Sequence, residues 1–228
     1  MNRTHTVAAF GIGLATLLTF ASTAAAAPPD LSTAKARCIA EISERQVQLD
    51  TLAGKATASA ELTDAHEGTI VSIVSAAKAG LAGLQTEIEG DTDGASLRAD
   101  CEAIATEYRI YALRTPQVHI ALAGDRTAVG VAKVTEIAGH LQEAIDAAAA
   151  TGKDVTEATA LMAELQGNLG AAGSSLSGVV DSELGYTPAD WNANHSVLTP
   201  SMEAVRAAAT SVTAALANAR AIVAELKA

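Results

Sequence analysis

Apolar residues recur in alternating steps of three and four along almost the whole chain after residue 31. One seam runs through Ile70, Val74, Ala77, Leu81, Leu84 and Ile88, and another through Leu97, Cys101, Ile104, Tyr108 and Tyr111. The spacing continues through Val131 to Ala148, through Val155 to Val179 and through Met202 to Leu226. Such spacing belongs to helices packed at shallow angles, and no stretch sustains the two-residue alternation of a half-buried strand. It predicts helices over 31–57, 63–89, 95–114, 116–150, 154–182 and 200–227, with an irregular link at 183–199.

The breaks have local causes. Thr63 or Asp64 stands where an N-cap belongs, with Glu67 close behind. "EGDTDG" (89–94) is a Gly/Asp turn, and "TGKD" (151–154) ends one helix at Gly152 and offers Asp154 to cap the next. Three Thr-Pro pairs, at 115–116, 187–188 and 199–200, read as helix starts, and Asp190 completes a capping box with Thr187. Four glycines in "GNLGAAGSSLSG" (167–178) weaken a helix that the apolar seam nevertheless carries through.

No Gly, Asn or Asp lies near Thr115–Pro116, so a kink is expected there instead of a reversal. Residues 95–150 then form one bent rod of roughly 80 Å at 1.5 Å per residue. The expected fold is all-α: two stacked up-down three-helix bundles sharing one long Pro-kinked helix, with a single elongated four- to six-helix bundle as the alternative. The divisions are a signal peptide at 1–26, an N-terminal bundle at 27–115 and a C-terminal bundle at 116–228.

Composition supports helices. Alanine makes up nearly a quarter of the 228 residues and aromatics only 3%, which predicts a thin aliphatic core. A formal net charge of −11 argues against nucleic acid as a partner. At the start, Arg3, the uncharged run "VAAFGIGLATLLTF" (7–20) and "ASTAAAA" read as a cleaved export signal. The run is shorter than the ~20 residues a span needs, so no membrane span is expected after cleavage. Losing Arg3 takes the formal net charge from −11 to −12.

An exported chain with two cysteines suggests a disulfide. In an up-down-up bundle the first and third helices run parallel. Cys38 lies seven residues after Leu31 and Cys101 six after Ala95, so both sit at one height and a Cys38–Cys101 bond is expected; two buried thiols are the alternative. The same geometry gathers Tyr108, Tyr111, Arg114, His119, Tyr186, Trp191, His195 and His66 at one waist. The plainest account of that waist is large side chains filling the gap where two bundles meet. The sharper one is a ligand pocket, or a metal site from His66, His119 and His195, but their spacing fits no ligand motif and no metal or cofactor is expected. Glu136 and His140 read as a surface pair. "EGDTDGASLRAD" (89–100) departs from a calcium loop at its first, eighth and last positions and reads as a turn with Asp93 capping the next helix. "NHS" (194–196) would be a glycosylation sequon only in a eukaryote. No nucleophile elbow or catalytic triad pattern occurs.

"AKARC…LDTLAGKATASAELTDAH" followed by "LRADCEAIATEYRIYALRTPQVHIALAGDR" resembles a group of uncharacterised exported helical proteins of actinobacteria. The resemblance implies an envelope or extracellular location and helical architecture, and no activity. The expected function is a non-enzymatic structural or interaction module whose partner is a protein or envelope component. Small-ligand, lipid or metal binding at the junction is the alternative.

Overall fold

The computed structural model describes residues 30–228; the expected signal peptide at 1–26 lies outside the described residues. Among the described residues all regular structure is helical: α1 (Leu31–Thr57), α2 (Asp64–Gly90), α3 (Gly94–Thr106), a π-turn (Ile110–Arg114), α4 (Thr115–Ala150), α5 (Thr156–Leu176), α6 (Val179–Gly185), α7 (Pro188–Ala193) and α8 (Thr199–Lys227). The first three helices start on side-chain caps. Asp30, Thr63 and Asp93 accept from the backbone N–H groups of Thr33, His66 and both Ala95 and Ser96, which satisfies donors the helix leaves free.

Cys38 and Cys101 form a disulfide, with Cα atoms 5.6 Å apart. Closing a loop of 63 residues stabilises the fold by about 4 kcal/mol on the chain-entropy account. From there α1 and the α3–α4 run advance together. Gln48 donates to the Thr115 hydroxyl at 3.2 Å, Lys55 meets His119 at 3.3 Å, and the Thr63 N–H donates to Asp125 at 2.8 Å. The chain therefore does not reverse at Thr115–Pro116.

The bend is not at the proline either. α3 ends at Thr106, and Arg109 takes a left-handed backbone, φ 47°. The π-turn follows, with the N–H groups of Arg114 and Thr115 reaching back five residues to Arg109 and Ile110. Pro116 follows at the second position of α4. Its ring would press on the carbonyl four residues back in an ordinary turn, and the wider π-turn relieves that crowding. The expected single rod over 95–150 is thus two helices joined by a break at 107–109.

The second difference falls in the glycine-rich stretch. Gly167, Gly170 and Gly173 stay within α5, but Gly178 adopts φ 67° and α6 begins there, so the helix expected through 182 stops at Leu176. The link expected to be irregular holds the end of α6 and all of α7, and the capping box between Thr187 and Asp190 is present. Thr115 and Thr199 occupy the first helical positions themselves, with Arg114 and Leu198 preceding them.

Two aliphatic cores result. The first joins Ile42, Leu49 and Leu52 of α1 to Ile70, Leu81 and Ile88 of α2 and to Leu97 and Ile104 of α3. It continues past Pro116 to Val118 and Ala121 and takes in Val180 and Leu184 of α6, so this packing crosses the expected division at 115 and 116. The second core lies between α4 beyond Val134, α5 and α8. There α5 runs back toward the first core and α8 runs out again, with Asn218 bonded to Glu164 at 3.3 Å and Lys153 to the Leu226 carbonyl at 2.8 Å. Among the described residues α8 is long and apolar enough, by length and composition, to cross a membrane, with 22% of its most apolar window buried.

Candidate functional site

Between the two cores lies a third, smaller cluster: Leu113, Ile120, Leu198 and Val205, with Leu176, Val179, Tyr186, Trp191 and Val197 around it. This is the joint, and polar side chains cross it in three places.

Arg114 and Gln117 sit one turn apart on the same helical run, and Arg114 Nη1 donates to Gln117 Oε1 at 2.9 Å. Gln117 Nε2 donates to the Glu183 carbonyl at 2.6 Å and the Tyr186 carbonyl at 2.9 Å, and Arg114 Nη1 reaches the Tyr186 carbonyl at 3.1 Å. The end of α6 leaves carbonyls without helical partners, and a cation there also suits the helix dipole. Gln117 is 1% exposed. Burial pushes the Arg114 pKa down, but a guanidinium remains charged at any ordinary pH.

Asn192 of α7 binds both sides of the break. Its Oδ1 accepts from Arg109 Nε at 2.6 Å, and its Nδ2 donates to the Thr106 carbonyl at 3.0 Å. The left-handed Arg109 is thereby tied to a helix 83 residues away in sequence.

His66 makes the third cross-link. Nδ1 lies 2.8 Å and 3.0 Å from the two oxygens of Asp125, which is 6% exposed, and Nε2 lies 3.2 Å from Asp181 of α6. Burial opposes the imidazolium, but the hydrogen bonds and charges of Asp125 and Asp181 outweigh it and raise the His66 pKa. Stability from this contact is present below the ordinary value of 6.5 and is lost as pH rises through the folded value.

Glu183 is fully buried, and neither carboxyl oxygen has a hydrogen-bond partner. Burial raises its pKa; the Ser201 hydroxyl works in the opposite direction but does not reach hydrogen-bond geometry. The neutral acid is favoured, so stability falls as pH rises from the ordinary 4.5 through the folded value.

Compared with known proteins, the chain matches no family model, no curated protein and no solved structure.

The expected waist residues separate in part, although Tyr108 and Arg114 line one cavity of about 350 Å³ with Pro188. Arg114, Tyr186 and Trp191 do meet in the joint. Trp191 stacks on His195, with ring centroids 5.6 Å apart, and His195 is itself exposed. Tyr108 lies on α2, so close that a Cβ on Gly80 would sit 2.6 Å from its ring. Tyr111 faces away, 53% exposed, under the Arg45 guanidinium at 5.6 Å. His119 meets Lys55; burial and that ammonium lower its pKa. His66, His119 and His195 thus take separate partners. Among the described residues no group of three or more His, Cys, Asp or Glu is arranged to hold a metal. Sequence reading missed Gln117, Asp125, Asp181, Glu183 and Asn192. The readable signal was a polar residue on an inward seam position: Asp125 falls four after Ala121, and Glu183 falls between Val180 and Leu184.

Proposed function

We propose that the protein is a non-enzymatic structural or interaction module that works outside the cytoplasmic membrane, in keeping with its export-type start and its resemblance to exported actinobacterial helical proteins. The observation that carries this reading is where the joint's polar groups go. Gln117, Arg114 Nη1, Asn192 and His66 spend hydrogen bonds on cross-links between distant parts of the same chain, and the joint's unpartnered atoms, Arg114 Nε and the Glu183 carboxyl, are buried. A site built to receive a small molecule keeps convergent donors and acceptors free to face it. Here the large and polar side chains fix the angle between two helical cores, and the long rigid body presents its outer faces.

A thermal-shift screen of the purified protein with divalent metals, lipids and small aromatic ligands tests this. The module reading expects no saturable shift that depends on the joint. A shift abolished by Trp191→Ala would replace it with a binding site at the joint.

A further inference from the structure

α4 and α8 both run outward from the joint, with Gly130 facing Val212 midway. A groove lies between them along its length. Near the joint it forms a cavity of about 440 Å³ between Pro116, Ile120 and Ala123 on one wall and Met202 and Ala209 on the other. Farther out it forms another of about 340 Å³ between Ile137 and Leu141 and Leu216 and Val223. Five large hydrophobic side chains are exposed among the described residues, and Ile137, Met202 and Val223 of this groove are three of them.

The α8 wall has a seven-residue repeat. Met202, Ala209, Leu216 and Val223 form an apolar line beside the inner seam of Val205, Val212 and Ala219. One turn on, Arg206, Thr213, Arg220 and Lys227 repeat at the same interval. Arg206 and Arg220 line the two cavities. On α4, Arg126 and Lys133 fall along the outer rim at 100° per residue. All four are exposed, and among the described residues none pairs with a carboxylate. The α8 acids Glu203 and Glu225 occupy other helical positions, Glu203 three residues before Arg206; on α4 Glu136 stands three residues after Lys133, and Glu143 is turned to His140 at 3.7 Å. In a chain of net charge −11, a groove with cations on both rims is a local reversal of sign.

We propose that the α4/α8 groove docks an amphipathic helix of a partner protein whose apolar face is flanked by Asp and Glu. From Pro116 to Leu141 the groove is about 38 Å long at 1.5 Å per residue, room for about 25 residues of helix. A helix lays its ridge between two parallel helices and anchors at three- and four-residue steps, matching the repeat on α8. Its flanking acids meet the two cationic rims, and complementary charge sets orientation and partner choice. The proposal rests on the module reading and names the class of its partner.

The test uses the whole protein and a fluorescein-labelled 25-residue helical peptide with Leu at heptad core positions and Glu at the flanks, read by anisotropy. A second peptide carries Lys at the flanks. The protein is expected to bind the Glu peptide saturably and the Lys peptide not at all. Arg206→Glu/Arg220→Glu, both exposed, should weaken the Glu peptide about tenfold or more, with the melting curve retained. Absence of binding, or binding indifferent to the charge reversal, overturns the proposal. Sedimentation of the protein with phosphatidylglycerol vesicles, lost in the same variant, would reassign the face to anionic lipid. A concentration-dependent dimer broken by Ile137→Glu would reassign it to a second copy. The thermal-shift screen reads the joint through Trp191→Ala, whereas these assays read the groove through Arg206 and Arg220, so the two readings fail separately.

Discussion

The joint and the outer core of α4, α5 and α8 solve opposite problems with different residues. The outer core is held by a narrow set of aliphatic side chains, Val134, Leu141, Ile145, Met162, Leu165 and Ile222, with alanines at the closest approaches. Its helices run side by side, and a repeating seam suffices. At the joint helices end, bend and restart, so backbone carbonyls are left over and must be met by side chains. Arg114, Gln117 and Asn192 supply the donors. Aliphatic seams carry cohesion, and polar cross-links carry angle.

Breaking cohesion should cost most. Leu165 is fully buried in the outer core, and Leu165→Ala should lower unfolding stability by about 2–5 kcal/mol, measured by urea titration. Breaking angle should cost less. Gln117→Ala leaves the Glu183 and Tyr186 carbonyls short of a donor and should cost about 1–3 kcal/mol. Hydrogen exchange should then show faster opening of α6 and α7 than of α5, whereas a uniform increase would show that the clamp does not act locally.

How far the sequence anticipates these regions differs in the same way. The α1 bounds, the α2 start, the disulfide, the capping box and the outer seam all follow from spacing and local chemistry. The break at 107–109 does not. Arg109 is a residue type that seldom takes a left-handed backbone, and what holds it there is Asn192, invisible to any local rule. Pro116 drew attention to the right neighbourhood while its strain was relieved a turn earlier. At the waist, aromatic and histidine residues were conspicuous by rarity, yet the bonds that organise it belong to Gln117 and Asn192, which look like surface residues in a list of letters. Gly178 was one glycine among four, and only its φ distinguishes it.

A smaller effect sharpens the contrast by reversing its sign. Replacing the unpartnered Glu183 with Met removes a buried carboxyl and should raise stability at pH 8 by on the order of 1 kcal/mol. In the parent protein, stability should fall as pH rises above 4.5, where the unfolded chain ionises Glu183 while burial keeps it neutral in the fold, and fall further above 6.5, where the unfolded chain releases the His66 proton that the fold retains. His119, whose pKa is lowered, works against this only as pH falls below 6.5. Glu183→Met should flatten the fall without abolishing it, because His66 still titrates; an unchanged slope would mean that Glu183 ionises as readily in the fold as in the unfolded chain. The smallest effect is expected at the edge of the joint. Tyr111→Ala removes an exposed ring under Arg45 and should cost about 0.5–1 kcal/mol.

The clamp's acceptors have a consequence for descent. The carbonyls of Thr106, Glu183 and Tyr186 are main-chain groups, and every residue type supplies one. Substitution at those three positions leaves the hydrogen-bond acceptors in place, although the buried Glu183 side chain and Tyr186 still have to pack. For the hydrogen bonds, only the donors Arg114, Gln117 and Asn192 have to persist. A distant cousin with the same architecture would share few letters with this chain beyond a loose heptad of small aliphatics. It would be known by an Arg-x-x-Gln step on one helix and a lone asparagine some seventy-five residues later.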